Sequence, residues 1–204
     1  MFSYLLQGMI LGFSASVTPG PFLAFLLSQT LQNGWRRALP ATFAPLISDG
    51  PIIFLVMVVL TQTPDNFLNI IQILGGFFLL YLAKGAWQAA QQEIQLTESV
   101  TDSIPRTMLK GAMMNALSPG PYIFWSILAG PIVLEGWRQS PALGLSFVVG
   151  FYVTIIAGFM GFVFLVAATS QVNPNLNKRL SQVAAVALLL FGLVQISTGL
   201  MVLY

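Results

Sequence analysis

Hydrophobic residues follow one another along this chain in long stretches that short polar segments separate. A helix needs about 20 largely apolar residues to cross the hydrocarbon core of a bilayer. Six stretches are long enough, and they predict transmembrane helices at residues 4–31, 39–61, 67–89, 108–134, 142–169 and 181–203. The pattern therefore predicts an all-α membrane protein whose main surroundings are lipid.

Two of these stretches are longer than one span requires, and both contain the same motif. Thr18-Pro19-Gly20-Pro21 lies in the first stretch and Ser118-Pro119-Gly120-Pro121 in the fourth. Proline lacks a backbone N–H and clashes with the carbonyl four residues before it, so we expect helices 1 and 4 to be broken there. Irregular backbone within a membrane has to face protein or a water-filled cavity. Either motif alone could be an ordinary proline kink, but paired breaks in two halves indicate a transporter's binding site.

The two motifs belong to a longer internal repeat. They lie one hundred residues apart, and residues 12–36 align with residues 111–138 with a short insertion in the second copy. Each half contains three spans, so the second half crosses the membrane in the opposite direction. The sequence thus predicts two inverted three-helix repeats, residues 1–90 and 108–204, joined by a cytoplasmic linker at residues 91–107. A carrier can use such symmetry to alternate between outward-open and inward-open states.

The positive charges indicate the orientation. Seven of the eight lysines and arginines fall on one side of the predicted spans, namely Arg36, Arg37, Lys84, Arg106, Lys110, Lys178 and Arg179. The positive-inside rule makes that side cytoplasmic and places both termini on the opposite side. The N-terminus has neither a basic leader nor a small-residue cleavage site, so we expect the first helix to be retained.

Composition narrows the chemistry further. Of the 204 residues, 56% are hydrophobic and 7% charged, whereas soluble domains carry about 25% charged residues. The chain has no cysteine and no histidine, so thiol chemistry and the soft ligands of zinc and copper are absent. We therefore expect no metal and no cofactor. We also expect no nucleic-acid partner, because no long basic run occurs. An enzyme is disfavoured, since no nucleotide loop and no second buried carboxylate is present.

The breaks themselves offer polar groups in the membrane. We expect a new half-helix after Pro21 and another after Pro121, each with unpaired N–H groups that attract a carboxylate. Gly20 and Gly120 allow the close approach of a ligand to the backbone. The side chains of Thr18, Ser118 and Asn115 can cap these helix ends or bind a substrate directly.

Asp49 is the single acidic residue within a predicted span. It lies ten residues into the second span, about 15 Å deep at 1.5 Å per residue. A carboxylate at that depth is costly and indicates a functional site, where it could bind a substrate ammonium, carry a coupling proton, or do both in turn. The alternative is that Asp49-Gly50-Pro51 caps a helix that restarts after a kink.

Other polar and small residues in the spans have weaker indications. Further candidates for substrate contact are Gln72, Tyr122, Tyr152 and Thr154, and the alternative for each is an interhelical hydrogen bond or a place at the membrane interface. Small residues favour close helix packing, within one chain or in a homodimer, and they are Gly75, Gly76, Gly85, Gly158 and Gly161.

The doubled motif, the six short spans and the acidic residue in helix 2 resemble the LysE/RhtB family of bacterial amino-acid exporters. Asn115 and the segment from Ser118 to Trp125 are similar to that family's second-half signature. The resemblance implies a multi-pass protein of the bacterial plasma membrane that exports an amino acid or related zwitterion, driven by the proton gradient. The residues leave two alternatives open, an inorganic-cation carrier and a non-transporting membrane subunit.

Overall fold

The computed structural model describes residues 1–58, 67–91, 103–170 and 174–201, which are almost entirely helical and include no β-strand. A 3-10 segment, Leu39–Phe43, precedes α4, and a π-helical segment, Phe124–Ala129, joins α7 to α8. The α-helices of this part are α1 Phe2–Val17, α2 Pro21–Asn33, α3 Trp35–Ala38, α4 Ala44–Val58, α5 Phe67–Gln91, α6 Ile104–Ala116, α7 Pro119–Ile123, α8 Gly130–Gln139, α9 Pro141–Ser170 and α10 Pro174–Met201. The predicted all-α fold is confirmed.

Both Pro-Gly-Pro motifs break their helices. The chain bends by 62° between α1 and α2 and by 56° between α6 and the helix that starts at α7. One boundary differs from the prediction, because α7 begins at Pro119 and not after Pro121. Proline is well suited to the first helical position, where its missing N–H would have no partner anyway, so the earlier start costs little.

The described helices account for some of the predicted spans. Two are long and apolar enough to cross a membrane, at Pro141–Thr169 and Lys178–Met201, and each bent pair could form one more span, which makes up to four. The described parts of α4 and α5, where residues 39–61 and 67–89 were expected to span, do not add to that number. Residues 59–66, between the second and third predicted spans, and residues 92–102, most of the predicted linker, lie outside the described residues. The six-span topology therefore stays a prediction.

Glycines allow three pairs of helices to approach backbone to backbone. A Cβ atom at Gly12 of α1 would overlap the carbonyl oxygen of Phe151 in α9. A Cβ at Gly76 of α5 would lie 2.7 Å from the carbonyl oxygen of Gly192 in α10. Gly111 of α6 similarly faces α4, beside Ala44. The hydrophobic effect does not drive membrane helices together, so their association depends on van der Waals packing, which small residues make close.

The predicted small-residue contacts are met at some positions only. Gly75, Gly76 and Gly158 lie against neighbouring helices, and a side chain at any of them would collide with its neighbour. Gly85 and Gly161 have no non-local atom near the place of a Cβ. These two therefore contribute no contact to the packing of the described residues.

The outer surface is rich in large apolar side chains. Exposed examples include Phe13, Phe54, Phe77, Ile127 and Leu165, each between 58% and 68% exposed. Soluble monomers rarely expose contiguous apolar surface of this kind, whereas lipid tails solvate it. The long apolar helices and this surface identify a membrane protein.

Candidate substrate-binding site

The first break leaves the start of α2 open. Thr18 ends α1 in an extended conformation, and its hydroxyl donates back to the carbonyl of Ser14 at 2.6 Å. Gly20 precedes α2, and its carbonyl accepts the first helical hydrogen bond, from the Ala24 N–H at 3.1 Å. The two N–H groups of residues 22 and 23 lie ahead of that bond, so they have no partner earlier in the helix.

The second break is tied more tightly to the helix before it. The Ser118 hydroxyl donates to the carbonyl of Met114 at 2.7 Å, and the Tyr122 hydroxyl donates to the carbonyl of Ala116 at 2.8 Å. Both bonds satisfy carbonyls at the end of α6 that the break deprives of helical partners. Neither Thr18 nor Ser118 caps the following helix with its side chain, contrary to one of the two expected roles.

Asp49 is buried in α4, with 4% of its surface exposed. The Asn115 amide donates to Asp49 Oδ1 at 2.6 Å, and the Tyr152 hydroxyl donates to Oδ2 at 3.0 Å. The indole of Trp125 lies near this carboxylate and interacts favourably with it. These three partners all come from the second half of the chain, so Asp49 joins the two halves through its side chain.

The partners of Asp49 are neutral donors. Asn, Tyr and Trp side chains orient and stabilise a carboxylate without cancelling its charge. The carboxylate therefore keeps the capacity to attract a cation or to bind a proton. Asp49 lies six residues into a helix that runs through Pro51 to Val58, so the alternative that it caps a restarting helix is wrong.

Asn115 is held by two neighbours at once. Besides its bond to Asp49, its amide nitrogen donates to the Ser48 hydroxyl at 2.8 Å. That hydroxyl in turn donates to the carbonyl of Ala44 at 3.1 Å. The two contacts fix the Asn115 side chain against consecutive residues of α4, one turn before the second break.

A cavity of about 470 Å³ connects Asp49 with both breaks. Its walls are aromatic and aliphatic, and among them Phe124 stacks on Phe151 while Trp125 meets Phe151 edge-on. Of the predicted site residues it is lined by Thr18, Pro19, Gly20, Pro21, Asp49, Asn115, Gly120 and Pro121. Ligand pockets are typically concave, mostly apolar and of roughly 300–1,000 Å³, so the size and lining suit a small molecule.

A second cavity of about 270 Å³ adjoins the first between the breaks. The two share residues of both motifs, including Gly20 and Gly120, together with Asn115. Ser118 and Pro119 line only the second cavity, and so does Gln195 of α10. We call the two spaces the Asp49 cavity and the Gln195 cavity.

One predicted site residue lines a different cavity, and three residues of the two cavities or of the Asp49 contacts had little or no indication in the sequence. Tyr122 lines neither of these cavities but a separate one of about 240 Å³, beside Ser48 and Pro51. Trp125 and Gln195 were not singled out from the sequence, and Tyr152 had only a weak indication. A polar group in an apolar stretch was the available signal for all three. The side chain of Gln72 lies outside the described residues.

Comparison with known proteins identifies the family of this chain. The family model of the LysE type translocator matches residues 13–199, which is most of the chain and includes both breaks. No curated protein and no solved structure matches the chain significantly. The resemblance that the doubled motif indicated is thereby confirmed: the chain belongs to the LysE type translocator family, whose members are membrane transporters and not enzymes.

Proposed function

We propose that this protein is a secondary active transporter that exports an amino acid or a related small zwitterion, coupled to protons, across the bacterial plasma membrane. The observation that carries the proposal is the buried carboxylate of Asp49, held by neutral donors on the wall of a cavity between two helix breaks. A zwitterion needs an anionic and a cationic partner in one cavity, and the structure offers a group for each end.

The carboxylate end of the substrate is assigned to the start of α2. This helix has 13 residues, and its first free N–H groups lie on the wall between the two cavities. The partial positive charge of a helix N-terminus favours an anion, and within a low-dielectric cavity that attraction is weakly screened. Gly20 carries no side chain that would keep a carboxylate from the backbone, and the space beside it is open, because a Cβ there would have only the Thr18 carbonyl oxygen within 4 Å.

The ammonium end is assigned to Asp49. Because its three partners are neutral, a substrate ammonium would be the first group to neutralise the carboxylate. A proton can take the same place when the substrate leaves, so that one carboxylate serves binding and coupling in alternation. The direction of transport follows the resemblance to exporters, because the binding chemistry itself is reversible.

Helix packing supports an inverted repeat as the basis of alternating access. The two bends are similar, at 62° and 56°. Gly12 packs against α9, the middle helix of the second half, and its aligned counterpart Gly111 packs against α4, the middle helix of the first half. In a repeat each broken helix is expected to contact the equivalent helix of the other half. We propose six spans in two inverted repeats, with both termini outside the cytoplasm.

A transport assay tests this proposal. The purified protein in liposomes, loaded with a panel of radiolabelled amino acids, is assayed for counterflow and for efflux with and without a pH gradient. We expect counterflow of at least one amino acid and acceleration of its efflux by the gradient. Asp49→Asn should remove the acceleration, whereas Glu135→Gln, at an exposed carboxylate of α8, should keep it.

The other outcomes identify the alternatives. Flux of an inorganic cation without any amino-acid counterflow would make the protein a cation carrier. A protein inert toward the whole panel would fit a non-transporting membrane subunit. Full gradient-driven efflux from Asp49→Asn would leave the transport assignment intact but would exclude Asp49 as the coupling group.

A further inference from the structure

A groove of about 520 Å³ lies between α1, α2, α9 and α10 and differs in chemistry from the Asp49 cavity. Its walls are apolar apart from Ser16, whose hydroxyl already donates to the carbonyl of Phe13 at 2.8 Å. Leu165 and Val17 line it and are 64% and 54% exposed, so the groove opens on the lipid-facing surface. We call it the lateral groove. Because it offers almost no polar partner, it suits an alkyl chain better than a zwitterion.

The lateral groove runs from the first break toward the end of α2. It begins at Pro19 and Gly20 and extends to Leu27 in α2 and Leu165 in α9. Between Gly20 and Leu27 the helix rises about 10 Å, at 1.5 Å per residue. One leaflet of the hydrocarbon core is about 15 Å thick, and the break lies near the middle of the first predicted span. The groove therefore covers most of the depth that one acyl chain occupies.

A cation lies where the lateral groove approaches the membrane surface. The ring of Trp35 packs on Phe164, with 5.6 Å between the ring centroids, and Phe164 directly precedes Leu165 of the groove. The guanidinium of Arg36 lies 5.3 Å from the centroid of the same indole. Indole rings are typical of the membrane interface, and basic side chains there attract anionic headgroups.

The described part of the protein does not neutralise the charge of Arg36. That part includes two acidic residues, Asp49 and Glu135, and Arg36 forms an ion pair with neither. Arg37 follows directly and adds a second positive charge. A guanidinium presents its N–H donors in one plane, which matches the oxygens of a phosphate group. A phosphate at the end of an alkyl chain would thus complement both the groove and the cation beside it.

We propose that the lateral groove binds one acyl chain of an anionic phospholipid, whose headgroup phosphate pairs with Arg36. The bound chain contacts Pro19 and Gly20, which also line the Asp49 cavity. The lipid therefore lies against the same break that faces the substrate. This site is separate from the proposed transport chemistry, because lipid binding requires neither the Asp49 carboxylate nor a substrate.

A lipid titration tests the headgroup contact. The purified protein in detergent receives phosphatidylglycerol or phosphatidylethanolamine with the same acyl chains, and thermal denaturation and native mass spectrometry measure binding. We expect one retained molecule of phosphatidylglycerol and an affinity about fivefold higher than for phosphatidylethanolamine. Arg36→Gln should remove this preference. Arg138→Gln, in the corresponding Gly-Trp-Arg segment of the second half, should keep it.

A second pair of variants tests the groove itself. Gly161 lines the groove, and no non-local atom lies within 4 Å of the place of its Cβ, so Gly161→Leu should extend into the open space. We expect the affinity for both lipids to fall about tenfold, because the alkyl chain loses apolar contact area. Gly85→Leu makes the same exchange at an open glycine of α5 outside the groove and should change neither affinity. The elution profile in detergent shows whether each variant is folded.

Other results would overturn the proposal. Equal binding of the two lipids by wild-type protein, or a preference that survives in Arg36→Gln, would exclude the headgroup contact. Unchanged lipid affinity in Gly161→Leu would exclude the groove, and conversion of a dimer to a monomer by that variant would make it a contact between two copies of the chain. Failure of the proposed function is distinct, because the protein would then bind lipid as expected but show no amino-acid counterflow.

Discussion

The two broken helices share a motif but differ in the residues around it. Fifteen residues into the chain the first half has Ala15, where the second half has Asn115, and Phe25 of the first half corresponds to Trp125 of the second. In both pairs the residue of the second half carries the hydrogen-bonding group, and both of those groups contact Asp49. The repeat thus supplies the same scaffold twice, but only the second copy supplies the partners of the carboxylate.

A third pair of aligned residues shows the same difference between the two halves. Phe22 of the first half corresponds to Tyr122 of the second, whose hydroxyl ties the second break to the end of α6. The first break has no equivalent bond, and α2 begins there with free N–H groups beside the cavity. The comparison teaches that the second break is held by one more side-chain hydrogen bond than the first, which is why we assign the ligand carboxylate to the first.

The largest effect is expected from making the second half resemble the first at Asn115. Asn115→Ala removes a donor from Asp49 Oδ1 and the link to Ser48, and it leaves a buried charged acceptor underpaired. We expect transport to fall to background and the free energy of unfolding to drop by about 3 kcal/mol. Counterflow and thermal denaturation in detergent measure the two effects.

The control for this variant is Gln139→Ala, which removes an exposed amide that bonds to Glu135 at 2.8 Å. It should change neither property. Transport that survives Asn115→Ala at the wild-type rate would contradict the role assigned to the Asn115–Asp49 bond.

The next largest effect is expected from alanine at the two aligned glycines, Gly12 and Gly111, which should lower the stability by different amounts. Gly12→Ala would place a methyl group against a backbone carbonyl of α9, which side-chain movement cannot relieve, whereas Gly111→Ala would meet the Ala44 Cβ at 3.0 Å. We expect losses of unfolding free energy of about 3 kcal/mol for Gly12→Ala and about 1 kcal/mol for Gly111→Ala. Thermal denaturation of both variants in one detergent compares them, and equal losses would show that the two contacts are equivalent.

Trp125→Phe is the third comparison, because it installs the residue that the first half has. The ring remains and packing against Phe151 is largely kept, but the indole N–H beside Asp49 is lost. We expect gradient-driven transport to fall about tenfold, as for loss of one favourable polar interaction with a charged group. Phe25→Trp, at the buried counterpart, should not restore it, so a recovery in the double variant would contradict this assignment.

Tyr122→Phe should have the smallest effect. The hydroxyl satisfies the Ala116 carbonyl and lies outside both cavities, so its removal should cost about 1 kcal/mol of stability and leave substrate competition unchanged. Denaturation and counterflow are measured on the same preparation. A change in substrate preference would instead return Tyr122 to the substrate contacts that its sequence position suggested.

Much of the architecture was predictable because it depends on local rules. Proline chemistry placed both breaks within a few residues, and hydropathy located α9 and α10 closely. The start of α7 was placed three residues too late, since a proline at the first helical position looks the same in sequence as one that ends a helix. The importance of Asp49 also followed from the cost of a charge in hydrocarbon.

The partners of Asp49 and the position of Gln195 depend on tertiary structure. Asn115, Tyr152 and Gln195 are ordinary polar residues in apolar helices, and nothing in their neighbours along the chain distinguishes a site group from an interhelical bond. Their roles follow from how α4, α6, α9 and α10 pack, which brings side chains separated by 66 and 103 residues to one carboxylate. The sequence alone determined that the chain lies in a membrane, where its helices break and which carboxylate is buried, because these depend on single residues and on local composition. Only the packing of distant helices decided what surrounds that carboxylate.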